Sequence, residues 1–169
     1  MKKLILSLLI AFSFSALAQE REAGVRFRSL SNFDLIYKMR SEAGNYHRFR
    51  VIAINANALS RPNQTDVNFG FGLAYGFEKR KALGGKTSFI HGWEPALTAS
   101  LSPNGQNIAL ELGYIIGLQY DFHQDFYINL EVVPSLGLNG SFINNNDPVY
   151  IGGMNLDTRF VSLSLVHRF

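Results

Sequence analysis

The chain has 169 residues, no cysteine and a formal charge of +3. Without cysteine it can hold neither a disulfide framework nor an acylated lipoprotein terminus. Setting aside Lys2 and Lys3 leaves fourteen Lys and Arg against thirteen Asp and Glu, a balance that offers nucleic acid no electrostatic footprint.

The first residues read as a targeting segment. Lys2-Lys3 form a positive start, Leu4 to Phe14 an apolar core, and Ala16-Leu17-Ala18 a small-residue cleavage site, predicting a signal peptide over 1–18. The apolar stretch is too short for a membrane anchor. Residues 19–169 are expected to form one domain.

From there the chain alternates. Strand one is expected at about Glu22 to Leu30, with Val25 and Phe27 opposite Arg26 and Arg28. Strand two sets Phe33, Leu35, Tyr37 and Met39 against Asp34, Ile36, Lys38 and Arg40, and Ser41 to Asn45 is a turn. Strand three, about Tyr46 to Leu59, breaks step: Phe49 and Val51 stand opposite Arg48 and Arg50, yet Ile52, Ile54 and Ala56 take the other parity. A β-bulge near Val51-Ile52 would restore the face, because one extra residue swaps the parity. After a polar loop from Ser60 to Asp66, strand four carries Val67, Phe69, Phe71, Leu73, Tyr75 and Phe77 against Asn68, Gly70, Gly72, Ala74, Gly76 and Glu78. Lys79 to Lys86 is expected as a charged, solvated turn.

Strand five runs through Phe89, His91, Trp93, Pro95, Leu97 and Leu101, with Glu94 on the opposite parity. Pro95 and Pro134 lack the N–H that a ladder needs, so irregularities are expected there. The hairpin from Ile108 to Phe142 shows the pattern best. Ile108, Leu110, Leu112, Tyr114, Ile116, Leu118, Tyr120 and Phe122 alternate with Ala109, Glu111, Gly113, Ile115, Gly117, Gln119 and Asp121. Beyond the turn His123-Gln124-Asp125, the same rhythm resumes from Phe126 to Leu138 opposite Tyr127, Asn129, Glu131 and Gly137. Period two held over about fifteen residues is a strand signature, and such lengths exceed the usual five or six residues. Asn144 to Asn155 is expected as the longest loop, and strand eight as about Leu156 to Phe169.

Parity alone does not say which face is inside; volume does. Strands four to seven place more than twenty bulky side chains on the large face. An eight-stranded barrel has an interior just wide enough for side chains to fill, so that face must point outward, into lipid. The small face, rich in Gly, Ala, Ser and Asn, suits the lumen. The expected fold is all-β, an eight-stranded antiparallel up-and-down transmembrane β-barrel. Both termini and the turns at 41–45, 79–86 and 123–125 would share the periplasmic side.

The signal peptide, the eight alternating strands and the closing Arg159-Phe160-Val161-Ser162-Leu163-Ser164-Leu165-Val166-His167-Arg168-Phe169 resemble the small outer-membrane β-barrel proteins of Gram-negative bacteria. The resemblance implies an outer-membrane location and contact with outer-membrane lipid. It also implies a final strand, Val161, Leu163, Leu165 and Phe169, read as an assembly signal by the barrel-insertion machinery. His167 departs from that pattern, being polar at an apolar position. A monomer is expected, and the family fixes no substrate.

Catalysis needs a nucleophile or activated water with a base in reach. His47, His91, His123 and His167 all fall in periplasmic turns, near the terminus or on the lipid-facing parity. Asp66, Asp147 and Asp157 lie at the other rim without a base. No histidine or carboxylate pair recurs at ligand spacing, so neither metal nor cofactor is expected. The inward charges are the informative set. Arg26, Arg28, Lys38, Arg40, Arg48 and Arg50 come from strands one to three, and Glu78, Glu94, Glu111, Asp121 and Glu131 from strands four to seven. Two oppositely charged walls are expected to meet as a lumen network centred on Arg26, Arg28, Arg48, Arg50, Glu94, Glu111 and Glu131. The expected function is a non-enzymatic, charge-plugged barrel with a structural or surface-binding role. The alternatives are a narrow pore and a lipid A-modifying enzyme.

Overall fold

A computed structural model describes residues 20–29, 32–61, 64–102, 105–143, 149–155 and 161–169; the expected signal peptide lies outside them. Ten strand segments are present: β1 (Arg21–Ser29), β2 (Asn32–Arg40), β3 (Tyr46–Arg61), β4 (Gln64–Gly84), β5 (Thr87–Ser102), β6 (Gly105–Asp121), β7 (Phe126–Val132), β8 (Ser135–Ile143), β9 (Val149–Asn155) and β10 (Val161–Arg168). They occupy eight positions round the barrel, because β7 and β8 both pair with β6 and share one position, while β9 and β10, which pair with β8 and β7, share the next. Every chain neighbour pairs antiparallel, and β1 closes the ring against β10.

The ladders fix the barrel's dimensions. Starting at Val25, one route round the ring passes Leu35, Val51, Leu73 and Leu97 and arrives on β6 at Leu110. The other route passes Leu165 and Ile128 and arrives at Tyr120. The two arrivals differ by ten residues, the shear of the barrel, which for eight strands means a tilt of about 40° and a lumen filled by side chains.

Alternation sorts the side chains as period two requires. In β7, outward Phe126, Ile128 and Leu130 are exposed while Tyr127, Asn129 and Glu131 are buried. In β10, Val161, Leu163 and Leu165 are exposed while Ser162, Ser164 and Val166 are buried. The usual distribution is inverted: Leu130 and Leu73 are each 53% exposed, whereas Glu131, Arg48 and Lys38 are 0% exposed. Water would not sustain so large an apolar surface; a bilayer would. The chain is therefore a transmembrane barrel, and its fold and face assignment match what the alternation predicts.

Several boundaries differ from the sequence reading. The bulge in β3 lies between Ile52 and Asn55, slightly beyond Val51-Ile52: three steps on β3 match two on β4, from Gly72 to Gly70. The parity exchange follows, with Asn55 set opposite Gly70. At Pro95 the β4 ladder passes from Ala74↔Ala96 to Phe77↔Trp93 without a change of register. At Pro134 the strand is interrupted, but the Pro134 carbonyl still accepts from the Tyr114 N–H at 2.9 Å. The charged stretch from Lys79 is strand, not turn: β4 continues to Gly84, and the reversal is made by Gly84 and Gly85, both at positive φ. The span expected as the longest loop contains β9, paired with β8 from Ser141↔Val149 to Ser135↔Asn155.

The rim opposite the termini is uneven. β1 and β2 meet at Ser29 and Asn32, three residues beyond Leu35, while β3 runs ten residues past Val51, the partner of Leu35. At this tilt the seven-residue excess of β3 over β2 is a rise on the order of 18 Å.

Candidate functional site

The inward parity of all eight barrel strands delivers charged groups into the lumen, and they meet as a ladder of alternating sign. At its centre is Arg48 of β3, fully buried. Its Nη2 donates to Glu131 Oε2 at 3.0 Å and its Nη1 to Glu131 Oε1 at 3.3 Å, a bidentate fork reaching across to β7. Nη1 also donates to Glu78 Oε2 of β4 at 3.2 Å. Nε lies 2.9 Å from Glu94 Oε2 of β5, but neither atom finds a well-aligned hydrogen bond, so this contact is Coulombic. One guanidinium thus holds three carboxylates from three strands.

Above it, away from the termini, Arg50 joins Glu94 at 2.6 Å to Asp34 at 2.7 Å, and Arg28 meets Asp34 at 3.1 Å. Arg26 donates to the Ser162 hydroxyl at 2.7 Å and lies 3.8 Å from Glu131 and 3.9 Å from Glu94. Below it, Glu78 takes Lys38 at 2.7 Å on one oxygen and Arg80 at 2.7 Å on the other. Arg80 forks onto Glu22 at 2.9 and 2.6 Å, its plane stacked 3.6 Å over the Tyr46 ring. Glu22 also accepts from Tyr127 and Arg168, and Arg168 ends the ladder on Asp121 at 2.6 Å.

Small residues make the room. A Cβ at Gly76 would sit 2.9 Å from the Arg48 Cγ, and one at Gly117 would sit 3.0 Å from the Glu131 Cγ. Two central members of the ladder therefore lie directly over glycines.

The sequence-derived set is distributed unevenly. Arg26, Arg48, Arg50, Glu94 and Glu131 converge in the middle, and Arg28 reaches them through Asp34. Glu111 stands apart, accepting from Ser135 at 3.3 Å. Arg40 is at the terminal rim with Glu20 rather than in the lumen. Asp34, Glu22, Arg80 and Arg168 belong to the ladder although the sequence reading does not assign them to it. Their inward parity is readable; Arg80 is hidden in what looks like a turn, and the other three sit at or near strand ends. Cation and anion walls are consequently not segregated, since Asp34 and Glu22 interleave with the arginines of β1 to β3. Val161, Leu163 and Leu165 face outward from β10, and Phe169 stacks with His167 on the same side.

The remaining histidines join aromatic clusters. His47 bonds the Tyr75 hydroxyl at 2.7 Å, His91 stacks on Phe89, and His167 packs on Phe126. Rings with polar tips on the outer face form an interfacial belt. Among the described residues no group of His, Asp or Glu could hold a metal ion.

No family model matches the chain, and no curated protein matches it significantly by sequence. Solved structures do match. A major outer membrane protein from Thermus thermophilus aligns with TM-score 0.50 and 11% identity, over 90% of this chain and 100% of its own. The attachment invasion locus protein Ail of Yersinia pestis aligns with TM-score 0.41 and 12% identity, over 89% and 95%. Neisserial surface protein A gives TM-score 0.41 and 12% identity, over 89% and 91%. At such identities the likeness speaks of fold, and the Thermus match carries it. The chain has the fold of a small outer-membrane β-barrel, and its apolar belt suits that location.

Proposed function

We propose that this chain is a non-enzymatic, monomeric outer-membrane barrel whose lumen is closed by its ion ladder. It acts in envelope integrity or through surface binding at the rim opposite its termini. The observation that carries the reading is Arg48, which spans the lumen to Glu78, Glu94 and Glu131 with no exposed surface of its own. A solvated pore would leave such groups wet; here each buried charge is compensated by partners, as the cost of desolvation demands. The final strand, with Val161, Leu163, Leu165 and Phe169, serves as the signal by which the barrel-insertion machinery recognises the chain.

Planar-bilayer recording tests the closed lumen. The purified barrel is expected to give no steady single-channel conductance. A stable, ion-selective conductance altered by Glu94→Gln or Glu131→Gln would replace the plug with a pore.

A further inference from the structure

The ladder ends differently at its two mouths. At the terminal end the last cation, Arg168, is held by both Asp121 and Glu22. At the other end the last cation among the described residues is Arg28, which makes one ion pair, through Nη2 to Asp34, and its side chain is 32% exposed. Its Nε is buried without an acceptor, as are those of Arg48 and Arg50, so the donors left for a ligand are those of the Nη groups that Asp34 does not take. Asp34 itself is fully buried and shared with Arg50. Among the described residues Glu111 is the other carboxylate on this side of the lumen; it is on β6 across the ring, with Ser135 as its partner. Among the described residues, then, Arg28 is the most exposed guanidinium of the column above Arg48, with a single ion pair at its top.

Its position is equally particular. Phe27 and Phe33, paired across β1 and β2, point outward at 43% and 51% exposure, one position from Arg28 and Asp34. They carry the lipid-facing surface almost to the tip of this short hairpin. The wall beside it, β3, continues far higher. Arg28 therefore sits at the low side of the rim, where hydrocarbon gives way to headgroups and the lumen can be approached from the leaflet.

From this geometry we infer that Arg28 is an oxyanion-binding site at the mouth, taking a phosphate-class group on its free N–H donors. A guanidinium presents a planar fork suited to phosphate oxygens. The group can be borne by a lipid headgroup or by a soluble solute, and the chemistry is common to both. The site does not depend on whether the lumen conducts.

Nitrogen-15 NMR of arginine side chains tests it on the full barrel in dodecyl maltoside micelles, whose headgroup carries no phosphate, the Arg28 Nε signal being assigned by its loss in Arg28→Lys. One arm titrates inorganic phosphate; the other titrates phosphatidylglycerol into the micelles. A saturable shift of the Arg28 signal, with Arg48 unmoved, is expected. Movement with phosphate assigns a soluble oxyanion, and movement with phosphatidylglycerol alone assigns a headgroup. No shift in either arm, or equal shifts at Arg28 and Arg48, overturns the site. The titration uses the unmodified chain, so a variant that fails to insert does not blunt it.

Discussion

Glu78→Gln is the perturbation that best separates pairing from packing in the lumen. The change keeps shape and removes one charge. Glu78 serves three cations: Lys38 and Arg48 on Oε2, Arg80 on Oε1. Their dependence on it is unequal. Arg48 retains Glu94 and Glu131, and Arg80 retains its fork on Glu22. Lys38 is 0% exposed and has Glu78 as its salt-bridge partner at 2.7 Å; Glu131 and Glu22 attract it only from farther off, and the Tyr127 ring lies 5.6 Å away. The cost thus concentrates on one stranded ammonium. Breaking a buried pair from one side costs about 3–5 kcal/mol, between two and four decades in the folding equilibrium. Removing both partners costs far less, because no uncompensated charge remains. Glu78→Gln combined with Lys38→Met should therefore recover most of the loss. Reversible urea unfolding from lipid vesicles, read by circular dichroism, measures both variants against wild type. A single variant within about 1 kcal/mol of wild type, or a double variant no better than the single, would refute the account.

Three further outcomes follow from the faces and the closing strand. Arginine at Leu112 or Leu130, which are 47% and 53% exposed on the belt, should cost about 2–4 kcal/mol in the same unfolding assay, and an unperturbed Leu112→Arg would contradict the membrane orientation. Gly113→Leu should destabilise by about 1–3 kcal/mol through crowding, since even a Cβ there would sit 2.7 Å from Val133 Cγ1; a neutral result would mean spare volume in the lumen. Deleting Phe169 should lower the amount inserted in cells far more than the yield of refolding in detergent, whereas equal losses would make it an ordinary packing residue.

Face and strand order were legible in the sequence because each is a statement about parity. Ile108 to Phe122 cannot be anything but a two-faced strand, and a barrel of eight cannot hold those side chains within. The parity error in β3 even announced its own bulge. Depth and partnership were harder to read. Parity puts Arg80 in the lumen, yet Lys79 and Lys81 flank it with charge on the outward face, and charge outside reads as turn. The strand simply runs on past the apolar belt, where solvent tolerates lysine. β9 was concealed by Gly152-Gly153, a pair that more often marks a loop than a strand. Which carboxylate meets which arginine depends on shear, a property of the closed ring that no single strand encodes.

The lumen contacts also bear on how the chain can reach its place. Arg26 bonds Ser162 across 136 residues of sequence, and Arg168 reaches Glu22 across 146. The ring closes by joining its first strand to its last. Until that seam forms, the first hairpin carries Glu22, Arg26 and Arg28 on a face that the rest of the barrel has yet to cover, and hydrocarbon will not accept such a face. Piecemeal entry, hairpin by hairpin, would strand charge in oil at each stage. The chain must instead be kept at the water boundary until its ends come together, so that the last-made strand gates the crossing of all the others. Such dependence on distant contacts makes assembly slow unless something holds the ends near one another.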